Sequence, residues 1–169
     1  NYEKEKDLPV LYLLHGAGDV ESGWVMIGRA NIILDNLINA GKAKPMVVVM
    51  PLGHTIQSWW TGPAENSPNA PAQAFPGGGR GAQSGELQLF GKDLISDVMP
   101  LVESNFKVSK KAEDRAIGGL SMGGGQTLNV AFNRPELFRY VVMMSPAAGP
   151  QAEQQYPKIF SDPSIVNKQ

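Results

Sequence analysis

Cysteine is absent from the 169 residues, which removes disulfide frameworks, thiol nucleophiles and Cys-ligated zinc. That absence leaves the compartment open, because a chain without Cys suits either side of a membrane. Charge is also sparse: 18 % of residues are charged, below the roughly 25 % of an average domain. The 15 Lys plus Arg against 16 Asp plus Glu leave a net charge of -1. No global field draws this chain to nucleic acid or acidic membranes, so neither is an expected partner. Long apolar runs are missing as well. Val47 to Met50 is only strand-sized, far from the ~18 residues of a membrane span. Histidine is scarce, with only His15 and His54. No clustered His/Cys/Asp set suggests a metal, and no organic cofactor is implied.

What is present is enough for a core. Hydrophobic residues make up 42 %, which excludes general disorder, and the length suits one domain or most of one. With Asn1 first and no signal-like segment, the chain reads as processed or truncated. Strand and helix signals alternate. Pro9 to Leu14 is a short apolar run ending at the turn His15-Gly16-Ala17-Gly18, a pattern typical of buried parallel strands. Ala30 to Ala40 reads as a helix with Ala30, Ile33, Leu34, Leu37 and Ile38 on one face, stopped by Gly41. Met46 to Met50 is a second strand closed by Pro51.

Residues 52–85 hold seven Gly, four Pro and only two charged side chains, Glu65 and Arg80. Without any helical or strand period this is a long loop, functional or disordered, with 66–83 expected to be its most mobile part. Glu86 to Asn105 returns to helix, which Pro100 should kink or split. Arg115 to Gly118 is a minimal strand, a helix follows to about Asn133, and Tyr140 to Met144 is a fourth strand. After Ser145 no further strand or strong helix is evident, and no internal repeat is found. About four strands separated by helices imply an α/β architecture, a mostly parallel sheet with helices on both faces. Ligands then bind beyond the carboxyl ends of the strands. Those ends are His15 to Ala17, Pro51 to His54, Gly118 to Gly123 and Ser145-Pro146.

Gly119-Leu120-Ser121-Met122-Gly123 fits G-x-S-x-G between a strand and a helix. In a nucleophile elbow the Ser sits on a sharp, strained turn, and glycines two residues either side remove side chains that would clash. The new helix then points its N-terminus at the Ser, which favours a developing oxyanion, with the Met122 N–H as the expected donor. The competing reading is a Gly-rich packing turn. His15-Gly16-Ala17-Gly18 fits the second half of an oxyanion hole, contributed by the N–H of Ala17, with Gly18 as the fallback. A serine hydrolase also needs a general base and an orienting carboxylate. His15 sits in the oxyanion turn, where its ring braces the loop better than it serves as base. His54 lies on the correct rim and fits a loop anchor better than a base. No His follows Ser121, and Glu136, Glu153 and Asp162 follow no evident strand end. Trp24, Trp59 and Trp60 could stack on a sugar or aromatic acyl group or plug the loop, and nothing in the sequence separates those readings. Lys107, Lys110 and Lys111 read as a solvated surface cluster.

Four segments resemble the α/β-hydrolase superfamily, and more narrowly its esterase D and feruloyl esterase group. They are Tyr12-Leu13-Leu14-His15-Gly16, Ile33-Leu34-Asp35-Asn36-Leu37-Ile38, Phe90-Gly91-Lys92-Asp93-Leu94 and Ala116 to Gln126. The resemblance runs from about residue 8 to about residue 148. It implies Ser121 as nucleophile, Met122 as oxyanion donor, and a serine carboxylic ester hydrolase working through an acyl-enzyme. The implied substrates are feruloyl or acetyl esters on plant cell-wall xylan, which would favour a secreted or periplasmic protein. S-formylglutathione hydrolases and mycolyl transferases are relatives of the group, so a thioesterase or acyltransferase is an alternative.

The resemblance also implies a departure. In that group the catalytic Asp and His follow two further strands beyond the equivalent of Tyr140 to Met144, and the sheet begins two strands earlier. The chain is therefore expected to be the central part of one domain over 1–169, completed by the remainder of that domain or by a second chain. Expressed alone, it is expected to be poorly soluble or folded but almost inactive. A non-catalytic carbohydrate- or partner-binding remnant of the same fold is the competing class.

Overall fold

The computed structural model describes residues 5–54, 84–146, 152–162 and 164. Trp59, Trp60 and the expected mobile stretch 66–83 lie outside the described residues. The strands are β1 (Val10–Leu14), β2 (Val47–Val49), β3 (Arg115–Leu120) and β4 (Tyr140–Met144). They form one sheet in the order β2-β1-β3-β4, and every pairing is parallel. The chain leaves β1 toward one edge to lay down β2, then crosses back over β1 to add β3 and β4. The direction of strand addition thus reverses between β1 and β3. Such a switch point opens a crevice at the carboxyl ends of the two strands.

The reversal also distributes the helices. Right-handed crossovers put the connection from β1 to β2 on one face and the two later connections on the other. The first carries α1 (Gly23–Met26) and α2 (Ala30–Asn39). The later ones carry α3 (Ser84–Asp93), α4 (Met99–Asn105) and α5 (Met122–Asn133). The face under α3 to α5 is the tighter one. Val10, Tyr12, Leu14 and Ile117 point into it and pack with Phe90, Leu94, Met99, Val102, Val130 and Ala131. Tyr12 meets Phe138 edge to face at 6.0 Å, an arrangement that aromatic quadrupoles favour. Burial pushes the Tyr12 phenol up to about 12. On the opposite face Tyr140 and Val142 stay more than half exposed. There α2 turns Ala30, Leu34 and Ile38 inward but leaves Ile33 and Leu37 exposed, so the apolar stripe expected from sequence is only partly covered.

Local chemistry explains the element ends. Gly41 has a φ of 67°, and a Schellman motif closes α2: Lys42 N–H donates to Leu37 O at 2.8 Å and Gly41 N–H to Ile38 O at 3.0 Å. Pro100 interrupts the α-helix without ending the helical path of the chain. The chain widens into a π turn over Leu94–Val98, with Met99 N–H reaching back to Leu94 O. Pro100 has no N–H for the carbonyl of Ser96 and its ring would strike that group, so the preceding turn opens to make room. Two short helices were not evident from sequence, α6 (Ala152–Gln155) and α7 (Pro157–Ser161). Tyr156 and Ile159 pack on Leu128 of α5, and Tyr156 stacks edge-on against Phe132 at 5.4 Å.

At the foot of β3, far from its carboxyl end, the buried Arg115 donates to Glu103 Oε1 at 2.6 Å and to Lys110 O at 2.7 Å. This pair ties α4 to the sheet. Glu103→Ala is expected to lower the unfolding free energy by about 2–4 kcal/mol, because it strands a mostly buried guanidinium. The urea midpoint measures it; a midpoint equal to wild type would show that water screens the pair.

Candidate active site

β3 ends at Leu120, and Ser121 is the residue that caps α5. Ser121 has φ 54° and ψ −108°, a conformation that L-residues adopt only when their surroundings enforce it. Two hydrogen bonds do so. Its N–H donates to Met144 O at 2.8 Å, at the end of β4, and its carbonyl accepts from Gly125 N–H at 2.9 Å, the first bond of α5. Sterics complete the turn. A Cβ on Gly119 would strike Gly123 O, and one on Gly123 would lie 2.6 Å from both Leu14 O and His15 O. The helix therefore starts hard against the ends of β1 and β3, and only glycine fits. Ser121 stands exposed at the rim, with the unpaired N–H groups of the first turn of α5 beneath it. Their partial positive charge favours an anion there.

The turn after β1 lies alongside. Gly16 stands close enough that a Cβ on it would be 3.8 Å from Ser121 Cβ. The register pairs Leu14 with Gly119, so Ala17 and Met122 leave neighbouring strands at the switch point. His15 is buried under the turn. Gly53 N–H donates to its Nε2 at 3.0 Å, so the ring proton is on Nδ1, which lies 2.8 Å from Gly16 O and donates to it. The expected bracing role of His15 agrees with both contacts.

His54 lies over the same turn. Its Nε2–H donates to Asp19 O at 3.2 Å, and its ring centroid is 5.1 Å from that of His15. Burial holds its pKa below the usual histidine value; the Asp19 carbonyl opposes this and His15 reinforces it. Trp24 sits in α1, half-buried, and its Nε1 has no partner among the described residues. The structure thus gathers Ala17, His54, Ser121 and Met122 at the strand-end rim, puts Trp24 on the connection that follows, and leaves Trp59 and Trp60 outside the described residues. Sequence reasoning assigned no part to Gln126. It lies buried in α5 one turn beyond Met122, and its Nε2 donates to Gly53 O at 2.7 Å. The available signal was a polar residue on the buried face of a helix that glycines pack tightly. Among the described residues no three His, Asp or Glu side chains are grouped to hold a metal, and no helix is long and apolar enough to cross a membrane.

A parallel sheet with a switch point, carrying a strained serine between strand and helix, defines an α/β hydrolase. The Esterase family model matches residues 1–164, and the chain belongs to that family. It is 37 % identical over 142 residues to an endo-1,4-beta-xylanase/feruloyl esterase of Xylanibacter ruminicola, covering 84 % of this chain and 17 % of that protein. A CE1 ferulic acid esterase from Anaeromyces mucronatus superimposes with a TM-score of 0.65 at 26 % identity, over 88 % of this chain and 50 % of that one. The feruloyl esterase module of Clostridium thermocellum, solved with sinapinate, gives a TM-score of 0.66 at 21 % identity over 94 % and 52 % of the two chains, a likeness of fold. The chain thus spans about half the length of these solved esterases, and less than a fifth of the curated relative.

Two outcomes follow from this geometry. Gly123→Ala forces a methyl against two backbone carbonyls and is expected to destabilise the fold by about 2–4 kcal/mol; an unchanged melting temperature would show that α5 can slide away. His54 should titrate below 6.5 in an NMR pH series. Because the unfolded chain then binds the proton more readily, its contribution to stability is intact above pH 6.5. It declines as pH falls from there to the folded pKa, and a His54→Asn variant should flatten that part of the stability–pH curve.

Proposed function

We propose that this chain carries the nucleophile and oxyanion hole of a serine carboxylic ester hydrolase that releases feruloyl or acetyl groups from plant cell-wall xylan. The observation that carries the reading is Ser121, held at φ 54° on the rim at the head of α5. Strain of that kind persists where position matters. Ser121 Oγ attacks the ester carbonyl as a base takes its proton. The oxyanion forms against the N–H groups of Met122 and Ala17, the alcohol of the sugar leaves with a proton, and water cleaves the acyl-enzyme.

Neither histidine is the base in this reading. Both ring nitrogens of His15 are committed to Gly16 and Gly53, and the Asp19 carbonyl ties His54 through its Nε2–H to the turn after β1, which fits a loop anchor. The base and its carboxylate come from elsewhere in the full-length protein. Trp24 and His54 border the substrate, with Trp59 and Trp60 proposed to join them. The substrate class is supported by the relatives: one is named an endo-1,4-beta-xylanase/feruloyl esterase and another a CE1 ferulic acid esterase.

In the full-length protein Ser121→Ala should lower p-nitrophenyl acetate hydrolysis by ~10⁴-fold or more with the fold intact, and abolish ferulate release from feruloylated arabinoxylan. Undiminished turnover in that variant would remove Ser121 from the mechanism. Fluorophosphonate labelling lost in the same variant would locate the nucleophile independently.

A further inference from the structure

The two proposed oxyanion donors belong to different elements, and hydrogen bonds that meet at Gly53 join those elements from behind. Gln126 Nε2–H donates to Gly53 O at 2.7 Å. Gly53 N–H donates to His15 Nε2 at 3.0 Å. His15 Nδ1–H donates to Gly16 O at 2.8 Å, where Asp19 N–H also arrives at 3.2 Å. Gly16 O and the Ala17 N–H belong to one peptide unit. That unit is planar and trans, so fixing its carbonyl fixes the opposite direction of its N–H.

We infer that Gln126 and His15 are positioning residues that aim the Ala17 N–H, setting it against the Met122 N–H on the helix that Gln126 itself belongs to. The inference rests on the reading of Ala17 and Met122 as oxyanion donors. Each link has a forced polarity. A backbone carbonyl only accepts, so the nitrogen of the Gln126 amide must face Gly53. A backbone N–H only donates, so His15 Nε2 must be bare and Nδ1 must carry the proton. Burial makes the links expensive to break: Gln126 is 1 % exposed and His15 2 %. Gln126 Oε1 has no partner among the described residues. The partner this buried amide does find among the described residues is Gly53 O, and it is the N–H that reaches it.

The hydrogen bonds can be read without activity. In the isotope-labelled chain, Gly53 N–H and His15 Nε2 should show a 15N–15N coupling through the hydrogen bond. Gln126→Met, of similar length and without a donor, should weaken that coupling and change the residual dipolar coupling of the Ala17 N–H while those of Val10–Leu14 stay put. An unchanged Ala17 value in a folded Gln126→Met protein would overturn the inference, whatever the enzyme does. His15 provides the second pair of variants should Gln126→Met not fold. His15→Asn puts an amide nitrogen near the place of Nδ1 and should keep the Ala17 orientation better than His15→Gln, whose amide falls near Nε2; the reverse order would also overturn it.

In the full-length enzyme Gln126→Met should lower kcat roughly ten- to hundredfold, short of deleting a donor outright, with KM little changed. It should weaken a trifluoromethyl ketone, which forms an oxyanion on the serine, by the same factor, and leave inhibition by free ferulate unaltered. Gln126→Glu should recover turnover as pH falls and its carboxyl regains a donor. Equal losses in ketone and ferulate binding would mark Gln126 as a packing residue and reject the assignment. A protein without Ser121-dependent turnover would defeat the proposed function, and the Ala17 coupling would still decide whether the relay exists.

Discussion

The structure depends on how closely a helix can approach the tips of two strands. α5 begins at the residue after the β3 turn, and its first turn lies against the carbonyls of Leu14 and His15. No side chain can stand between them. From this contact follow the glycines at 119 and 123, the left-handed conformation of Ser121, and the bond from its N–H to Met144. The tight packing is also what makes the site: it brings the positive end of a twelve-residue helix beneath an exposed hydroxyl. The backbone contacts that close the turn are thus the same ones that position the hydroxyl.

The topology puts this contact where it can be used. Strand addition reverses between β1 and β3, so the loops that follow them diverge onto opposite faces and leave a crevice. Segments distant in sequence converge on it: the turn at His15, the Gly53-His54 pair after β2, and the elbow. Elsewhere the molecule is unequal. One face of the sheet is sealed by α3 to α5, whereas Tyr140 and Val142 on the other remain exposed beside a half-turned α2.

Much of this was legible in the sequence, for identifiable reasons. Buried parallel strands read as short apolar runs, so β1, β2 and β4 were found nearly to the residue. β3 was placed but cut short at Gly118. Gly118 and Gly119 have little strand propensity, and it is their partners on β1 and β4 that draw them into the sheet. Helices of four or five residues, such as α1, α6 and α7, are shorter than any period can reveal. The effect of Pro100 was anticipated in kind but not in form, because a π turn depends on how the preceding residues pack. The elbow was legible since sterics dictate its glycine spacing. Gln126 was harder: a polar residue on a glycine-packed helix face marks it out, but its partner is 73 residues away and no spacing reveals it.

The pairing of Leu14 with Gly119 has one more consequence. The turns bearing Ala17 and Met122 spring from adjacent strands of one ladder, and adjacent strands stand about 4.8 Å apart in any sheet. The separation of the two turns at their roots is therefore copied from the backbone, as the spacing of rails is copied from the sleepers. Residues bordering the rim can diverge while that spacing stays fixed. A fold of this kind separates the lining of a crevice from the frame that holds it open.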